Sequence, residues 1–303
     1  MKNLINHKRY ALLITGIMMC GFLSPLRAQE EEVATVEETN KPERPAFESS
    51  WIIDNQTVVV PQKGTLEFMI QHRFGVVSNG ATDLWGLYAP SNIRLGFNYT
   101  LFDNFGLGAL KGPLSIGFGT TKNNRVQDVN IKYGIMQQTR SGSIPVSITY
   151  YGNAAMETQL KHEQLPNRNE SDRYSFFHQL IIARRFSSKL SVQVAPSISH
   201  FNTVRSFMNN DHIAVAVSGR YKISAQTAVM VGVDQPITDH KAGNPQPNIS
   251  FGLEVATSSH AFQIFMTNYS SIVPQRNNVF NQNDPTDDGF LIGFNITRLW
   301  NFN

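Results

Sequence analysis

Phe290-Leu291-Ile292-Gly293-Phe294-Asn295-Ile296-Thr297-Arg298-Leu299-Trp300-Asn301-Phe302-Asn303 closes the chain and decides its fold class. Phe290, Ile292, Phe294, Ile296, Trp300 and Phe302 fall on even positions. Gly293, Asn295, Thr297, Asn301 and Asn303 fall on odd ones. Period-two alternation puts these sets on opposite faces of one strand. The run exceeds the roughly five or six residues of a typical soluble strand and carries aromatics toward its end. Apolar side chains toward lipid, polar ones toward a lumen and aromatics at the interface are the pattern of a transmembrane barrel strand.

Working outward, the same alternation recurs upstream. Ile93, Leu95, Phe97, Tyr99 and Leu101 oppose Asn92, Arg94, Gly96, Asn98 and Thr100. Ile249, Phe251, Leu253 and Val255 oppose Asn248, Ser250, Gly252 and Glu254. Parity predicts strands near 65–74, 92–101, 114–120, 128–136, 144–154, 174–186, 189–200, 211–222, 225–234, 247–257, 259–269 and 288–302. Strand 174–186 is ambiguous, because Phe177 and Ile181 oppose Leu180 and Ile182. Most are long enough for a tilted strand to cross a bilayer, which takes about 9–11 residues. The connections 75–91, 155–173, 201–210, 235–246 and 270–287 are long. Ser187-Ser188, Ile223-Ser224 and Ser258 are tight turns. Outer-membrane barrels place long loops outside and short turns in the periplasm. The expected fold is therefore all-β: an antiparallel up-and-down transmembrane barrel of about twelve strands, both termini periplasmic, in the cell outer membrane.

The N-terminus reads as an export signal. Lys2, Lys8 and Arg9 precede an apolar stretch, Tyr10 to Leu23, too short for a spanning helix, and Leu26-Arg27-Ala28 is a cleavage site. Cys20 follows Ile17-Met18-Met19, which lacks the small residue a lipobox requires. Removing 1–28 removes four cations and no acid, so the formal charge falls from +3 to −1. The basic balance thus belongs to the signal and is no argument for nucleic acid. The single cysteine leaves with it, excluding an internal disulfide or a cysteine nucleophile. Residues 29–50, acidic and then proline-bearing, are expected to be a disordered periplasmic linker. Residues 51–303 are expected to form the barrel, with 51–64 as an N-terminal extension. Trp51 to Pro61 reads equally as a short extra strand or as a segment tucked under the barrel.

Ile70-Gln71-His72-Arg73-Phe74-Gly75, Leu84-Trp85-Gly86-Leu87, Asn92-Ile93-Arg94-Leu95-Gly96-Phe97 and Ile292-Gly293-Phe294-Asn295-Ile296-Thr297-Arg298 carry a resemblance. Over roughly 50–303 the chain resembles a family of Bacteroidota outer-membrane β-barrels catalogued as a domain of unknown function. The resemblance implies fold and location, and no activity.

Candidate chemistry is thin. His72 precedes Ser78-Asn79-Gly80. Outer-membrane phospholipases carry a His-x-Ser-Asn-Gly run, with both side chains on one strand face. A six-residue spacing separates this pair by about 20 Å on a straight strand. Asp211-His212 and Asp239-His240 resemble protease acid–histidine pairs, but adjacent strand residues face apart, and the second pair lies in a polar loop expected to be solvated. Asn281, Asn283, Asp284, Asp287 and Asp288 crowd the last long loop without EF-hand spacing. His72, His178, His200 and His260 read as interfacial histidines near strand ends. No catalytic, cofactor or metal site is expected, and no enzyme activity.

The lumen is where function is expected. Parity points Glu67, Arg73, Arg94, Asp128, Lys132, Arg220, Lys222, Asp234 and Glu254 inward. Buried charges of both signs must be paired or wet. Either they form an ion-pair network in a sealed, structural or partner-docking barrel, or they line a narrow aqueous path for a small solute, with a slight cationic excess favouring anions. A lipid-acting enzyme is the third reading. The expected partners are outer-membrane lipid and the barrel-assembly machinery, which would read the aromatic C-terminus. The solute and the oligomeric state are not legible.

Overall fold

The computed structural model describes residues 41–159 and 169–302. The expected signal peptide 1–28 and residues 29–40 of the expected linker lie outside them. Two short strands, β1 (Trp51–Ile52) and β2 (Asn55–Gln56), form a hairpin of their own. Twelve further strands close into one antiparallel barrel in chain order: β3 (Thr65–Val76), β4 (Asn92–Phe105), β5 (Gly112–Thr121), β6 (Val126–Met136), β7 (Ser147–Glu157), β8 (Tyr174–Arg185), β9 (Leu190–Phe201), β10 (Asp211–Lys222), β11 (Thr227–Pro236), β12 (Asn248–Ala256), β13 (His260–Thr267) and β14 (Leu291–Asn301). β14 pairs with β3, from Leu291↔Val76 to Asn301↔Thr65, so no edge remains. A single helix, α1 (Pro274–Phe280), lies between β13 and β14.

The alternation is sorted as a bilayer requires. Along β14, Leu291, Gly293, Asn295 and Thr297 are buried, while Ile292, Phe294 and Ile296 face outward. Leu95, Phe97, Ile116, Phe118, Phe251, Leu253, Phe262 and Ile264 are exposed around the wall, an apolar belt that water could not cover cheaply. Trp300, Phe302, Phe102, Phe105 and Phe186 gather at the end with the short turns 186–189, 223–226 and 257–259. The opposite end carries the long connections 77–91, 202–210, 237–247 and 268–290. Among the described residues no helix is long and apolar enough to cross a membrane; this barrel crosses with strands.

Two of the sequence stretches that carry the family resemblance meet at the long-loop end. The Gly75 N–H donates to Gly86 O at 3.0 Å. Gly86 has φ +86°, and a Cβ there would lie 2.3 Å from Gly75 O. Only glycine tolerates both the left-handed backbone and that approach.

The expectation of a disordered linker reaching Ser50 is corrected for its described part. Pro42 bridges Thr139, and the Glu43 N–H donates to Gln138 O at 2.7 Å, both at the short-turn end. The chain then enters the barrel. Ala46, Phe47, Ser49, Ser50, Trp51, Ile52 and Ile53 are buried. Trp51 to Pro61 does hold short extra strands, β1 and β2, but they pair with each other and not with the wall, and the segment is not tucked beneath the barrel. Its β1–β2 hairpin stands inside the lumen, and the chain returns to the short-turn end to begin β3. Composition misleads here because polar and acidic residues are being satisfied by a polar wall rather than by water.

Candidate functional site: a plugged lumen

Parity aims nine side chains inward. Glu67, Arg73, Arg94, Asp128, Lys132, Arg220, Asp234 and Glu254 are buried, and Lys222 is half-buried at the short-turn mouth. Some pair within the wall. Arg94 holds Asp128 with two bonds, Nε–Oδ1 at 2.9 Å and Nη2–Oδ2 at 2.7 Å. It reaches from β4 to β6 because the intervening residue is Gly119, where a Cβ would lie 2.2 Å from its Nη2. Arg220 Nε donates to Glu254 Oε1 at 2.6 Å, from β10 to β12.

Arg73, Asp234, Lys132 and Glu67 reach the hairpin or the residue just before it, and Lys222 meets Glu48 further upstream. Arg73 donates to Asp54 Oδ1 through Nε (3.2 Å) and Nη2 (2.9 Å). The other Asp54 oxygen accepts from Asn248 Nδ2 (3.1 Å) and Thr267 Oγ1 (2.5 Å). Asp54 sits at the hairpin turn, where Ile53 has φ +53°. Asn55 Nδ2 donates to Asp234 Oδ1 at 2.7 Å. Lys132 Nζ donates to Ser50 O (3.1 Å) and Gln56 Oε1 (2.9 Å). Ser50 Oγ donates to Glu67 Oε1 at 2.5 Å.

Uncharged wall side chains take the hairpin's peptide groups. Gln263 Nε2 donates to Trp51 O (2.8 Å), Asn295 Nδ2 to Ile53 O (2.8 Å), Gln193 Nε2 to Gln56 O (2.7 Å) and Thr149 Oγ1 to Val58 O (2.9 Å). Buried backbone polar groups demand partners, and here the wall supplies them. The apolar part is small: Phe47, Ile52 and Ile53 cluster with Ala183, Met230 and Phe265. It resolves the ambiguous strand 174–186. Phe177 and Ile181 point inward and pack with Tyr151, Ala195, Ala216 and Val58.

α1 closes the other side of the lumen at the long-loop end, against β8 to β11. Gln275 Nε2 donates to Asn153 Oδ1 at 3.0 Å, Asn278 Nδ2 to Ser197 Oγ at 3.4 Å, and Arg276 pairs with Glu157. His240, expected in a solvated loop, is buried instead. Its Nδ1 accepts from the Asn209 N–H at 3.0 Å, so its Nε2 carries the proton and donates to Val279 O at 3.0 Å. His212 Nε2 lies 2.9 Å from the same Nδ1. Sequence spacing hid this pair, since the partners are on β10 and in the loop after β11. Below α1, the Tyr269 hydroxyl donates to Asn278 Oδ1 at 3.3 Å. Burial, then the nearby carboxylates of Asp234 and Asp54, push its pKa well above the ordinary tyrosine range.

The candidate catalytic pairs are not assembled. His72 faces lipid and stacks on Phe294 at 5.0 Å, while Ser78 lies in the loop 77–91. Asp211 turns outward to His200 Nδ1 at 2.7 Å, away from His212. Among the described residues no group of three or more His, Cys, Asp or Glu is placed to hold a metal ion. Asn281 and Asn283, expected in a solvated loop, bond instead to Gln246 O and Asn268 O. His178 is not at a strand end; it sits within β8 and bonds the Tyr150 hydroxyl at 2.6 Å.

A closed twelve-strand barrel, apolar outside and polar within, defines a membrane-bound β-barrel protein. Residues 47–300 match the family model described as a membrane bound beta barrel domain, DUF5777, and the chain belongs to that family. No curated protein matches it. Among solved structures it is similar to the COG4313 outer membrane channel from Pseudomonas putida F1 (10% identity, 80% of this chain and 97% of that one, TM-score 0.47). It is also similar to the KdgM porin (8%, 79% and 99%, TM-score 0.43) and to LpxR from Salmonella typhimurium (10%, 77% and 99%, TM-score 0.37). At these values the likeness carries nothing about activity.

Proposed function

We propose that this protein is a gated outer-membrane channel for a small water-borne solute, closed by its own N-terminal hairpin, with both termini in the periplasm. The observation that carries this reading is that the wall closes without the plug. β14 pairs directly with β3, and β1–β2 is a separate sheet making no strand pairing to the barrel. Withdrawing the hairpin would cost side-chain contacts and leave the cylinder intact. About eight strands give an interior that side chains can fill; twelve leave room that something else must occupy. The plug–wall contacts are mostly hydrogen bonds, each exchangeable for water at a net of about 0.5–1.5 kcal/mol. A permanently sealed interior would be filled more stably by apolar side chains than by buried ion pairs.

The alternative is a structural or partner-docking barrel, and the filled lumen supports it too. Planar-bilayer recordings separate the two. The intact chain is expected to be silent, and a variant lacking residues 42–60 to conduct. A second variant also lacking residues 270–287 removes α1. If both insert with heat-modifiable migration and stay silent, the channel reading is lost and the sealed barrel stands. Neither reading makes the chain an enzyme. Its expected partners are the lipid around the belt and the insertion machinery.

A further inference from the structure

The hairpin's acids are matched to the wall's surplus cations. Arg94 and Arg220 have wall carboxylates. Arg73, Lys222 and Arg185 pair instead with Asp54, Glu48 and Glu43, all on the plug segment. Arg185 belongs on the inward face of β8; the ambiguous parity of that strand hid it in the sequence.

Two of these pairings border a cleft of about 520 Å³ at the short-turn mouth of the lumen. Arg44, Arg185, Lys189, Arg220 and Lys222 line it, with Glu48 the only acid among its lining residues. Glu48 satisfies its neighbours poorly. Its Oε1 lies 3.1 Å from Lys222 Nζ but 3.8 Å from Arg220 Nη2, beyond hydrogen-bond reach. That Nη2 is buried, in a side chain 5% exposed, and has no hydrogen-bond acceptor among the described residues. Arg185 is likewise 3.8 Å from Glu43. Leaving a buried charged donor unsatisfied costs more than the average bond returns, and crowded like charges add repulsion. Glu48 itself is 46% exposed, so its carboxylate can leave without breaking a packed core.

We propose that this mouth is a binding site for a small oxyanion, phosphate-like or carboxylate, in which the Glu48 carboxylate now stands. A compact anion seated there would bond Arg220 Nη2 and Lys222 Nζ together, with Arg185 and Lys189 at its rim. By displacing Glu48 it would also loosen the strap that leads into the hairpin. The inference rests on the transport reading for its purpose and names that solute's class. Its test, on the closed full-length chain, is independent of conductance.

The experiment is equilibrium binding of radiolabelled inorganic phosphate to the full chain in zwitterionic nanodiscs. One saturable site is expected. Glu48→Gln removes the internal competitor and should tighten binding. Lys222→Gln removes one charge-assisted bond and should weaken it about tenfold, and Arg185→Gln should weaken it less. Each variant is first checked for heat-modifiable migration. No saturable binding, or binding indifferent to Glu48→Gln and Lys222→Gln, would overturn the site. A parallel set of discs containing anionic phosphatidylglycerol tests the source of the anion. Unchanged phosphate affinity supports a water-borne ligand reached through the lumen. Affinity lost to the lipid would assign the cations to head groups and overturn the proposal. If both deletion variants insert and stay silent while the full chain binds phosphate, the channel reading ends and this site stands.

Discussion

At the scale of single residues, the lumen is governed by who supplies the countercharge. Asp54 and Arg73 are each about 1% exposed, so neither can turn to water if the other is lost. Asp54→Ala should destabilise the protein by about 3–5 kcal/mol. Asp54→Ala with Arg73→Met should cost clearly less than the two single changes added, because no charge is left stranded. Urea unfolding in detergent, followed by gel migration, measures both; simple additivity would contradict the pairing. Tyr269 gives a pH signature. Its folded pKa is raised, so above about pH 10 the unfolded chain releases a proton that the folded one keeps. Stability from this group is fully present below that pH and is lost as pH rises through the raised value. Tyr269→Phe should flatten the alkaline fall in unfolding midpoint; an identical fall in the variant would remove Tyr269 as its cause.

At the scale of elements, the hairpin and α1 are the two inserted pieces, and each is held by side chains rather than by strand pairing. The lone cysteine, Cys20, lies in the predicted signal, so introduced thiols report cleanly. Asn55→Cys should resist a membrane-impermeant maleimide in the intact barrel and react in mild urea before the wall unfolds. Reaction only on global unfolding would mean that plug and wall are one cooperative unit. α1 is fastened through the His240 Nε2 bond to Val279 O. His240→Ala should loosen it, raising the labelling rate of Gln275→Cys by about tenfold for a local opening made about 1.4 kcal/mol easier. An unchanged rate would place the hold on α1 elsewhere, in Arg276–Glu157 or Gln275–Asn153.

At the scale of the whole molecule, an unbroken cylinder separates two media that make opposite demands. The outer row needs lipid and the inner row needs hydrogen-bond partners. The chain should therefore require detergent to remain dispersed and should migrate faster unboiled than boiled. Monodispersity in plain buffer, with migration unaffected by boiling, would remove the membrane from the account. Deleting residues 42–60 should leave this heat-modifiable behaviour in place, because the β14–β3 seam does not use them. Loss of the folded band in that variant would make the hairpin a structural staple rather than a plug.

Period-two alternation made the wall legible without coordinates, because a strand's faces are set by covalent geometry alone. Strand count and the inward aim of Arg94, Asp128 or Glu254 follow from parity, strand by strand; loop asymmetry follows from connection lengths, except at the short 122–125 and the longer 137–146. Parity failed where the lumen's contents mattered: Phe177 and Ile181 point inward because Val58 is there to meet them. It also cannot tell which inward charges pair, since Arg73 and Asp54 are apart on the chain and joined only by closure of the barrel around the hairpin. Residues 42–50, which read as the end of a solvated linker, lead into a plug when twelve strands leave a polar space too wide for wall side chains to fill. Whether that space holds water or the chain itself is a property of the closed volume, and only the tertiary structure decides it.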